Sequence, residues 1–111
     1  MEKEREQPRG PLSHLQVIEV GGLPATYCAA HFAALGADVV KVERPGDGDP
    51  GRSLTRDSEK SQYFLNYNSN KRSVVLDLTK SKGRELLLEL APQFDVFVEN
   101  YGPGVIEKLD I

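Results

Sequence analysis

The stretch Leu35-Gly-Ala-Asp-Val-Val-Lys-Val-Glu-Arg-Pro-Gly-Asp-Gly-Asp-Pro50 decides the fold of this chain. Its three valines form a nearly continuous β-branched run, which is typical of a strand covered on both faces of a parallel sheet. An acid and a base, Glu43 and Arg44, follow the valines and lead into a Pro/Gly loop. Because open α/β sheets bind ligands at the carboxyl ends of their strands, this segment predicts both a parallel sheet and a binding edge.

The segment before this strand predicts a β-α-β unit. Leu15–Val20 is an apolar run closed by two glycines, which predicts the first strand. Ala25–Leu35 is rich in alanine and contains neither Gly nor Pro. Its larger apolar residues recur with helical spacing starting at Cys28, which predicts a helix with Cys28 in the core. Gly36 is expected to end that helix, and the two strands are expected to be parallel.

The second half of the chain continues the alternation of strands and helices. Residues 45–60 predict a long loop, and a loop of this length in a compact domain usually has a function. We then expect a short helix at 62–66, a strand at 73–78, a helix capped by Ser81 and ending at Leu90, a strand at 95–99 that is apolar on both faces, and a last helical turn after Gly102-Pro103-Gly104. The pattern predicts an α/β fold, a Rossmann-like parallel sheet with flanking helices.

The composition limits the classes of function. A chain of 111 residues predicts one domain, and its formal charge of -3 argues against nucleic acid or an anionic membrane as the main partner. One cysteine excludes an internal disulfide and favours a reducing compartment, for which the cytosol is the natural choice. Residues 1–10 are charged and are expected to form a disordered tail before a domain at 11–111. No apolar run approaches the roughly 20 residues of a membrane span, and no metal site is predicted.

Each predicted strand is followed by residues that suit a nucleotide site. They are Gly21-Gly22, Glu43-Arg44, Asp77 to Thr79, and Asn100-Tyr101. Since the carboxyl ends of parallel strands share one edge of the sheet, these residues are expected to meet in one crevice. An NAD or FAD site is the second hypothesis, because Glu43 suits the ribose hydroxyls. The glycine pattern GxGxxG is absent after the first strand, and Pro24 lacks a backbone donor there.

Five ordered blocks resemble the amino-terminal region of the family III CoA-transferases, the carnitine dehydratase and bile-acid-inducible protein group. The family includes formyl-CoA transferase and α-methylacyl-CoA racemase. The blocks begin with PLSHLQVIE at residue 11 and LGADVVKVERPGDGD at residue 35, and continue with NKRSVVLDL at 70, GRELL at 83 and DVFVENYGPG at 95. The resemblance covers Pro11 to Ile111, and it implies a Rossmann-like domain that binds coenzyme A, with full-length chains forming a homodimer.

The resemblance also implies roles for individual residues. Arg44 matches an arginine at the adenine and 3′-phosphate end of CoA. The other positions matched to CoA contacts are Leu76, Asp77, Leu78 and Thr79 along the nucleotide, Asn100, Tyr101 and Gly102 in the turn after the last strand, and Lys108 near a phosphate. Thr79 stands where some members have a lysine, and Lys80 is then the alternative contact. Family members commonly show A-G-P before the first helix, whereas the segment Leu23-Pro-Ala-Thr-Tyr-Cys28 is one residue shorter here and lacks that Gly-Pro.

The family mechanism implied by the resemblance uses a carboxylate nucleophile. It attacks the acyl-CoA thioester to form an acyl-enzyme anhydride and then an enzyme-CoA thioester, which passes CoA to the acceptor acid without a metal. The aspartate of that mechanism is expected beyond Ile111, so no catalytic residue is assigned and the chain alone is expected to be inactive. An acyl-CoA racemase of the same family and a non-catalytic CoA- or nucleotide-binding module are the alternatives. The acyl donor and acceptor are not identified.

Overall fold

The computed structural model describes residues 10–54 and 61–111, and a four-stranded sheet runs through their centre. The strands are β1 (Gln16–Val20), β2 (Asp38–Glu43), β3 (Lys71–Val75) and β4 (Val96–Glu99). They are arranged in the order β3-β2-β1-β4, and every neighbouring pair is parallel. The predicted α/β fold with a Rossmann-like parallel sheet is therefore confirmed.

Helices cover both faces of the sheet. They are α1 (Leu23–Ala34), α2 (Gln62–Asn68), α3 (Ser81–Leu90) and α4 (Val105–Lys108), with short 3₁₀ turns at Pro50–Ser53 and Ala91–Gln93. Helix α1 connects β1 to β2, and α3 lies between β3 and β4. Within 10–54 and 61–111, none of these helices combines the length and apolar character needed to cross a membrane.

The core has two parts, one on each face of the sheet. On the first face, Val17 and Val39 pack with alanines of α1. On the second, Ile18 and Val42 pack with Leu87 of α3. Burying a side chain such as Leu87, which is 0% exposed, contributes about 1.5–3 kcal/mol. Burial on both faces explains why β1 and β2 have few polar residues, and it makes their charged side chains conspicuous.

The face of α1 that packs on the sheet differs from the sequence prediction. Ala25, Ala29 and Ala33 are buried, whereas Cys28 is exposed. Small side chains at a spacing of four residues allow the helix backbone to lie close to the strands. Of the larger apolar side chains in the predicted stripe, Phe32 is half-buried against this core, whereas Cys28 and Leu35 are exposed. The prediction that Cys28 belongs to the core is wrong. The helix also begins earlier than predicted, with Pro24 in its first turn, where a backbone donor is not needed.

Three other details differ from the predictions. Strand β3 spans Lys71–Val75 instead of 73–78, because β2 ends at Glu43, the residue that pairs with Val75. Helix α3 has Lys80 at its N-cap position, and Ser81 is its first helical residue instead of its cap. Strand β4 is covered on one face only, since Phe97 is exposed. Residues 1–9 of the predicted tail and 55–60 of the predicted loop lie outside the described residues.

Candidate functional site

A cavity of about 420 Å³ lies at the edge of the sheet where all four strands end. The turn after β1 lines it together with the segments that follow β2, β3 and β4, and the residue after α4 also contributes. The lining residues are Val20, Gly21, Gly22, Val42, Glu43, Arg44, Gly48, Asp49, Pro50, Leu76, Asp77, Leu78, Thr79, Tyr101 and Leu109. Its volume lies within the range of small-molecule binding sites. Residues from the whole length of the domain therefore meet in one crevice.

Six of the nine residues that the sequence singled out line this cavity. They are Arg44, Leu76, Asp77, Leu78, Thr79 and Tyr101. Three others, Asn100, Gly102 and Lys108, are exposed and do not belong to the lining, and Leu109, the residue after α4, lines the cavity in place of Lys108. The side chain of Asn100 accepts a hydrogen bond of 2.8 Å from the backbone N–H of Gly22. Asn100 thus holds together two turns at the rim of the cavity.

The segment after β3 forms one wall of the cavity. Asp77 Oδ1 accepts hydrogen bonds from the N–H and the hydroxyl of Thr79, at 3.0 and 2.6 Å. These hydrogen bonds lower the pKa of Asp77. Helix α3 lies against this wall, because a Cβ on Gly83 would come within 2.0 Å of the Asp77 carbonyl oxygen. Arg84 Nη1 donates to the carbonyl of Leu78 at 3.1 Å and fixes the wall from the same helix.

The carboxylate of Glu43 organises the opposite wall. It receives Arg52 in a two-point contact, with Nε 2.8 Å from Oε1 and Nη2 2.9 Å from Oε2. The hydroxyl of Ser73 donates to Oε2 at 2.5 Å, and the backbone N–H of Asp49 donates to Oε1 at 3.0 Å. The hydrogen bond with Arg52 is the main reason that the pKa of Glu43 falls to about 2, against the opposing effect of burial. Glu43 thus supports the turn.

The engagement of Glu43 argues against the dinucleotide hypothesis. An acid at this position would have to accept hydrogen bonds from ribose hydroxyls. Both of its oxygens already accept from protein donors, and its side chain is only 4% exposed. Pro24 in the first turn of α1 supplies no N–H to a pyrophosphate. The structure thus lacks two features by which a Rossmann domain holds NAD or FAD.

Arg44 differs from Glu43 in being exposed at the mouth of the cavity. Its Nε donates a hydrogen bond of 3.0 Å to the carbonyl oxygen of Gly48. Within residues 10–54 and 61–111, no side chain pairs with its terminal nitrogens. A planar guanidinium held by Nε presents those nitrogens to a phosphate or its face to an adenine.

A buried cluster of charges lies beneath this wall, between the sheet and α1. Lys41 Nζ lies 3.0 Å from Glu19 Oε1 and 2.6 Å from Asp49 Oδ2, and it donates to the Thr26 hydroxyl at 3.0 Å. Lys71 Nζ lies 3.0 Å from the second oxygen of Glu19. Burial is the main cause that lowers the pKa of Lys71, while Glu19 opposes this shift. Each buried charge has an opposite partner, as the cost of desolvation demands.

This cluster lies outside the sites that the sequence predicts, and Lys71 belongs to β3 although the predicted strand begins at residue 73. A signal was present, because Glu19 and Lys41 interrupt apolar runs in two adjacent strands. The parallel register places these two residues side by side. An acid and a base inside neighbouring buried strands indicate a buried ion pair, whereas the contribution of Lys71 depends on the observed position of β3.

The charges around the cavity determine the sign of ligand that it favours. The Glu43 wall and the buried cluster beneath it contain three acids, Glu19, Glu43 and Asp49, and each of them pairs with a base. Those bases are Lys41, Arg52 and Lys71. Arg44 is then the cationic side chain among the lining residues, whereas Asp77, whose pKa is lowered by its hydrogen bonds with Thr79, contributes a carboxylate. An anionic ligand would be held locally through Arg44, although the chain as a whole is acidic.

Comparison with known proteins identifies the family. Residues 12–111 match the family described as CoA-transferase family III. The chain belongs to CoA-transferase family III. A formyl-CoA:oxalate CoA-transferase of Bradyrhizobium sp. (strain ORS 278) is 49% identical over 84 residues, which cover 74% of this chain and 20% of that protein. A second such enzyme, from Rhodopseudomonas palustris (strain TIE-1), shows the same identity and coverage.

Solved structures of the same family share the fold. A CAIB/BAIF family protein from Brucella suis is 34% identical, with a TM-score of 0.83 over 93% of this chain and 29% of that one. A hypothetical protein (Rv3272) from Mycobacterium tuberculosis is 35% identical, with a TM-score of 0.83 over 94% and 29% of the two chains. The family III chain described here thus spans about a fifth of the curated relatives' length. Among the described residues, no group of three or more His, Cys, Asp or Glu is placed to hold a metal ion.

Proposed function

We propose that this chain is the coenzyme A-binding part of a CoA-transferase that moves CoA between an acyl-CoA and a free carboxylic acid. The observation that carries the proposal is the cavity at the carboxyl edge of the sheet. Six positions matched by motif to the family's CoA contacts line it. Family membership supplies the class of ligand, since CoA-transferases act on CoA thioesters.

The chemistry of the cavity suits the nucleotide end of CoA. Arg44 would contact the 3′-phosphate or stack on the adenine, because a guanidinium serves both purposes. The wall formed by Leu76 to Thr79 would lie along the nucleotide, with the apolar side chains of Leu76 and Leu78 beside the base or the ribose. Tyr101 is half-buried at the end of β4 and adds an aromatic surface. Asn100 would act by holding the β1–α1 turn.

The covalent steps would follow the family mechanism. A carboxylate attacks the thioester carbonyl and expels CoA thiolate, leaving a mixed anhydride between the enzyme and the acyl group. The thiolate then attacks the enzyme's carbonyl and releases the donor acid, and the resulting enzyme-CoA thioester passes CoA to the acceptor by the reverse sequence. We assign the nucleophile to neither aspartate of the cavity, because Asp49 is paired with Lys41 and Asp77 is bonded to Thr79.

A titration tests the binding step. Isothermal calorimetry with CoA should show binding to the 111-residue chain, and NAD should bind at least tenfold more weakly. Replacing Arg44→Ala removes a charge-assisted contact worth about 1.5–3 kcal/mol, which predicts a loss of CoA affinity of about 10–150-fold. The matched control is Arg72→Ala. Arg72 is an exposed arginine that pairs with Asp38 at 2.7 Å near the amino end of the sheet, and its loss should leave CoA affinity unchanged. NAD binding without CoA binding would refute the proposal.

A turnover assay tests the assignment of chemistry. The relatives are formyl-CoA:oxalate CoA-transferases, so formyl-CoA and oxalate are the first pair to try. We expect the isolated chain to bind CoA without transferring it, as followed by chromatography of the CoA esters. Formation of oxalyl-CoA by this chain would show that its own residues supply the nucleophile. For the full-length protein we propose a homodimer in the cytosol, which sedimentation of that protein would test.

A further inference from the structure

The loop between β2 and the 3₁₀ turn carries a peptide group that is held from two sides. This peptide group joins Gly48 to Asp49. Its carbonyl oxygen accepts from Arg44 Nε at 3.0 Å, and its N–H donates to Glu43 Oε1 at 3.0 Å. These two hydrogen bonds point in opposite directions from one planar peptide group, so the orientation of that peptide group determines where the Arg44 guanidinium lies.

The side chain of Asp49 fixes that plane in the fold. Its Oδ2 lies 2.6 Å from Lys41 Nζ, and its Oδ1 accepts from the Gly51 N–H at 2.6 Å. The carboxylate is 7% exposed, and Lys41 is anchored inside β2. Because a short ion pair between two nearly buried groups tolerates little movement, Asp49 ties the loop to the sheet.

The conformation of Gly48 fits this arrangement. Its φ is +68°, in the left-handed region that favours glycine, and a Cβ there would lie 3.0 Å from Glu43 Oε1. The backbone therefore approaches the Glu43 carboxylate at a position where a side chain would interfere. Gly48, Asp49 and Pro50 all line the cavity, so displacement of this loop would change the wall as well as Arg44.

We propose that Asp49, anchored on Lys41, is a positioning residue that acts through the 48–49 peptide group to orient Arg44 toward an anionic ligand. This inference rests on the proposed function in so far as the ligand is CoA. It adds a residue to which the resemblance assigned no role in the site. Asp49 would not touch the ligand's phosphates, because its two oxygens face Lys41 and Gly51.

A double-mutant cycle with CoA as the probe separates positioning from an independent contribution. We expect Arg44→Ala to weaken CoA binding about 30-fold and Asp49→Asn about fivefold, with the double variant no weaker than Arg44→Ala within about twofold. If the two losses multiply in the double variant, Asp49 does not act through Arg44 and the proposal is overturned. Asp47→Asn is the matched control, since it alters an exposed carboxylate of the same loop that does not line the cavity.

A second measurement does not depend on CoA binding. The Arg44 Nε–H should give an arginine signal in a ¹H–¹⁵N spectrum that exchanges slowly with water and disappears in Arg44→Lys. We expect faster exchange of this signal in Asp49→Asn and no change in Asp47→Asn; an unchanged signal in Asp49→Asn would overturn the inference. If the wild-type chain does not bind CoA, the proposed function fails, and the exchange of this signal still decides whether Asp49 positions Arg44.

The variant is chosen to preserve the fold. Asp49→Asn retains an oxygen acceptor for the Gly51 N–H, and Lys41 keeps its partner Glu19 at 3.0 Å. Circular dichroism and thermal unfolding should therefore show a folded variant. Should it not fold, Asp49→Ser places an uncharged hydroxyl acceptor at this position, which is the N-cap of the 3₁₀ turn Pro50–Ser53, and gives the same two readouts.

Discussion

The change Glu43→Gln tests how much the Glu43 carboxylate stabilises the loop after β2. Glutamine has nearly the same shape as glutamate, so the substitution removes the charge with little change in packing. The structure predicts a loss of stability at neutral pH, because the carboxylate receives Arg52 at two points and also accepts from Ser73 and the Asp49 N–H.

The magnitude follows from the pKa of the Glu43 carboxyl. Its pKa is lowered from 4.5 to about 2, chiefly by the hydrogen bond from Arg52. Since one pKa unit corresponds to about 1.4 kcal/mol, the difference between 4.5 and about 2 gives an upper limit of about 3.5 kcal/mol for the stabilisation. The Arg52 side chain is 38% exposed, and screening by solvent and salt reduces the expected value to about 1–2 kcal/mol.

The sign of the pH dependence is fixed by the direction of the shift. A carboxyl whose pKa is lower in the folded state stabilises the fold above its unfolded pKa, and this contribution is lost as the pH falls through the folded pKa. The Glu43 contribution should therefore be complete above about pH 5 and should disappear between pH 4.5 and about 2. Glu43→Gln should lack this component of the pH dependence.

Urea unfolding followed by circular dichroism, at a series of pH values from 7 to 2, measures the difference in free energy of unfolding. We expect the gap between wild type and Glu43→Gln to narrow as the pH falls. Glu85→Gln is the control, because Glu85 is 62% exposed and lies 3.8 Å from Lys82. The reasoning is refuted if Glu43→Gln is as stable as wild type at pH 7, or if the gap stays constant down to pH 2.

Three further predictions concern the packing of the sheet and its helices. Leu87→Ala, at a fully buried position, should lower the free energy of unfolding by about 2–5 kcal/mol, while Leu88→Ala at a 46% exposed position should cost under about 1 kcal/mol; equal losses in urea unfolding would contradict the core assignment. Gly83→Ala should lower the free energy of unfolding by about 1–3 kcal/mol, because the new Cβ would lie 2.0 Å from the carbonyl oxygen of Asp77. The control in thermal unfolding is Gly102→Ala, because a Cβ at Gly102 has no neighbour within 4 Å. The exposed Cys28 should react with Ellman's reagent in the folded chain nearly as fast as in urea, and strong protection would contradict its exposure.

The pattern of side chains was sufficient to predict the parallel sheet and its binding edge. Val39, Val40 and Val42 indicated a strand buried on both faces, and that burial is a local property of β-branched runs. The convergence of Arg44 with the segment after β3 also followed, because the carboxyl ends of parallel strands must share an edge. That the cavity binds CoA remains a proposal supported by family membership and by the residues that line it.

Other features depended on contacts between residues distant in the chain. The helical stripe that begins at Cys28 is visible in the sequence. In the structure, however, the alanines of α1 are the residues buried against the sheet, and Cys28 is exposed. Asn100 followed a predicted strand, yet its side chain bonds to Gly22 and lies outside the cavity lining. Periodicity in the sequence shows which residues share a face of a helix. The closeness with which the helix packs on the sheet decides which of those faces is buried.

By itself, the amino-acid sequence determined the order of the elements, the parallel sheet, the family resemblance and the strand that ends at Glu43 and Arg44. Only the tertiary structure decided what those two residues do. In the structure, the Glu43 carboxylate accepts hydrogen bonds from Arg52, Ser73 and the Asp49 N–H, whereas Arg44 is exposed at the cavity. The physical reason is that an ionic or hydrogen-bonded partner acts over about 3 Å, a distance set by the folding of the loop and the register of the sheet and not by separation along the chain.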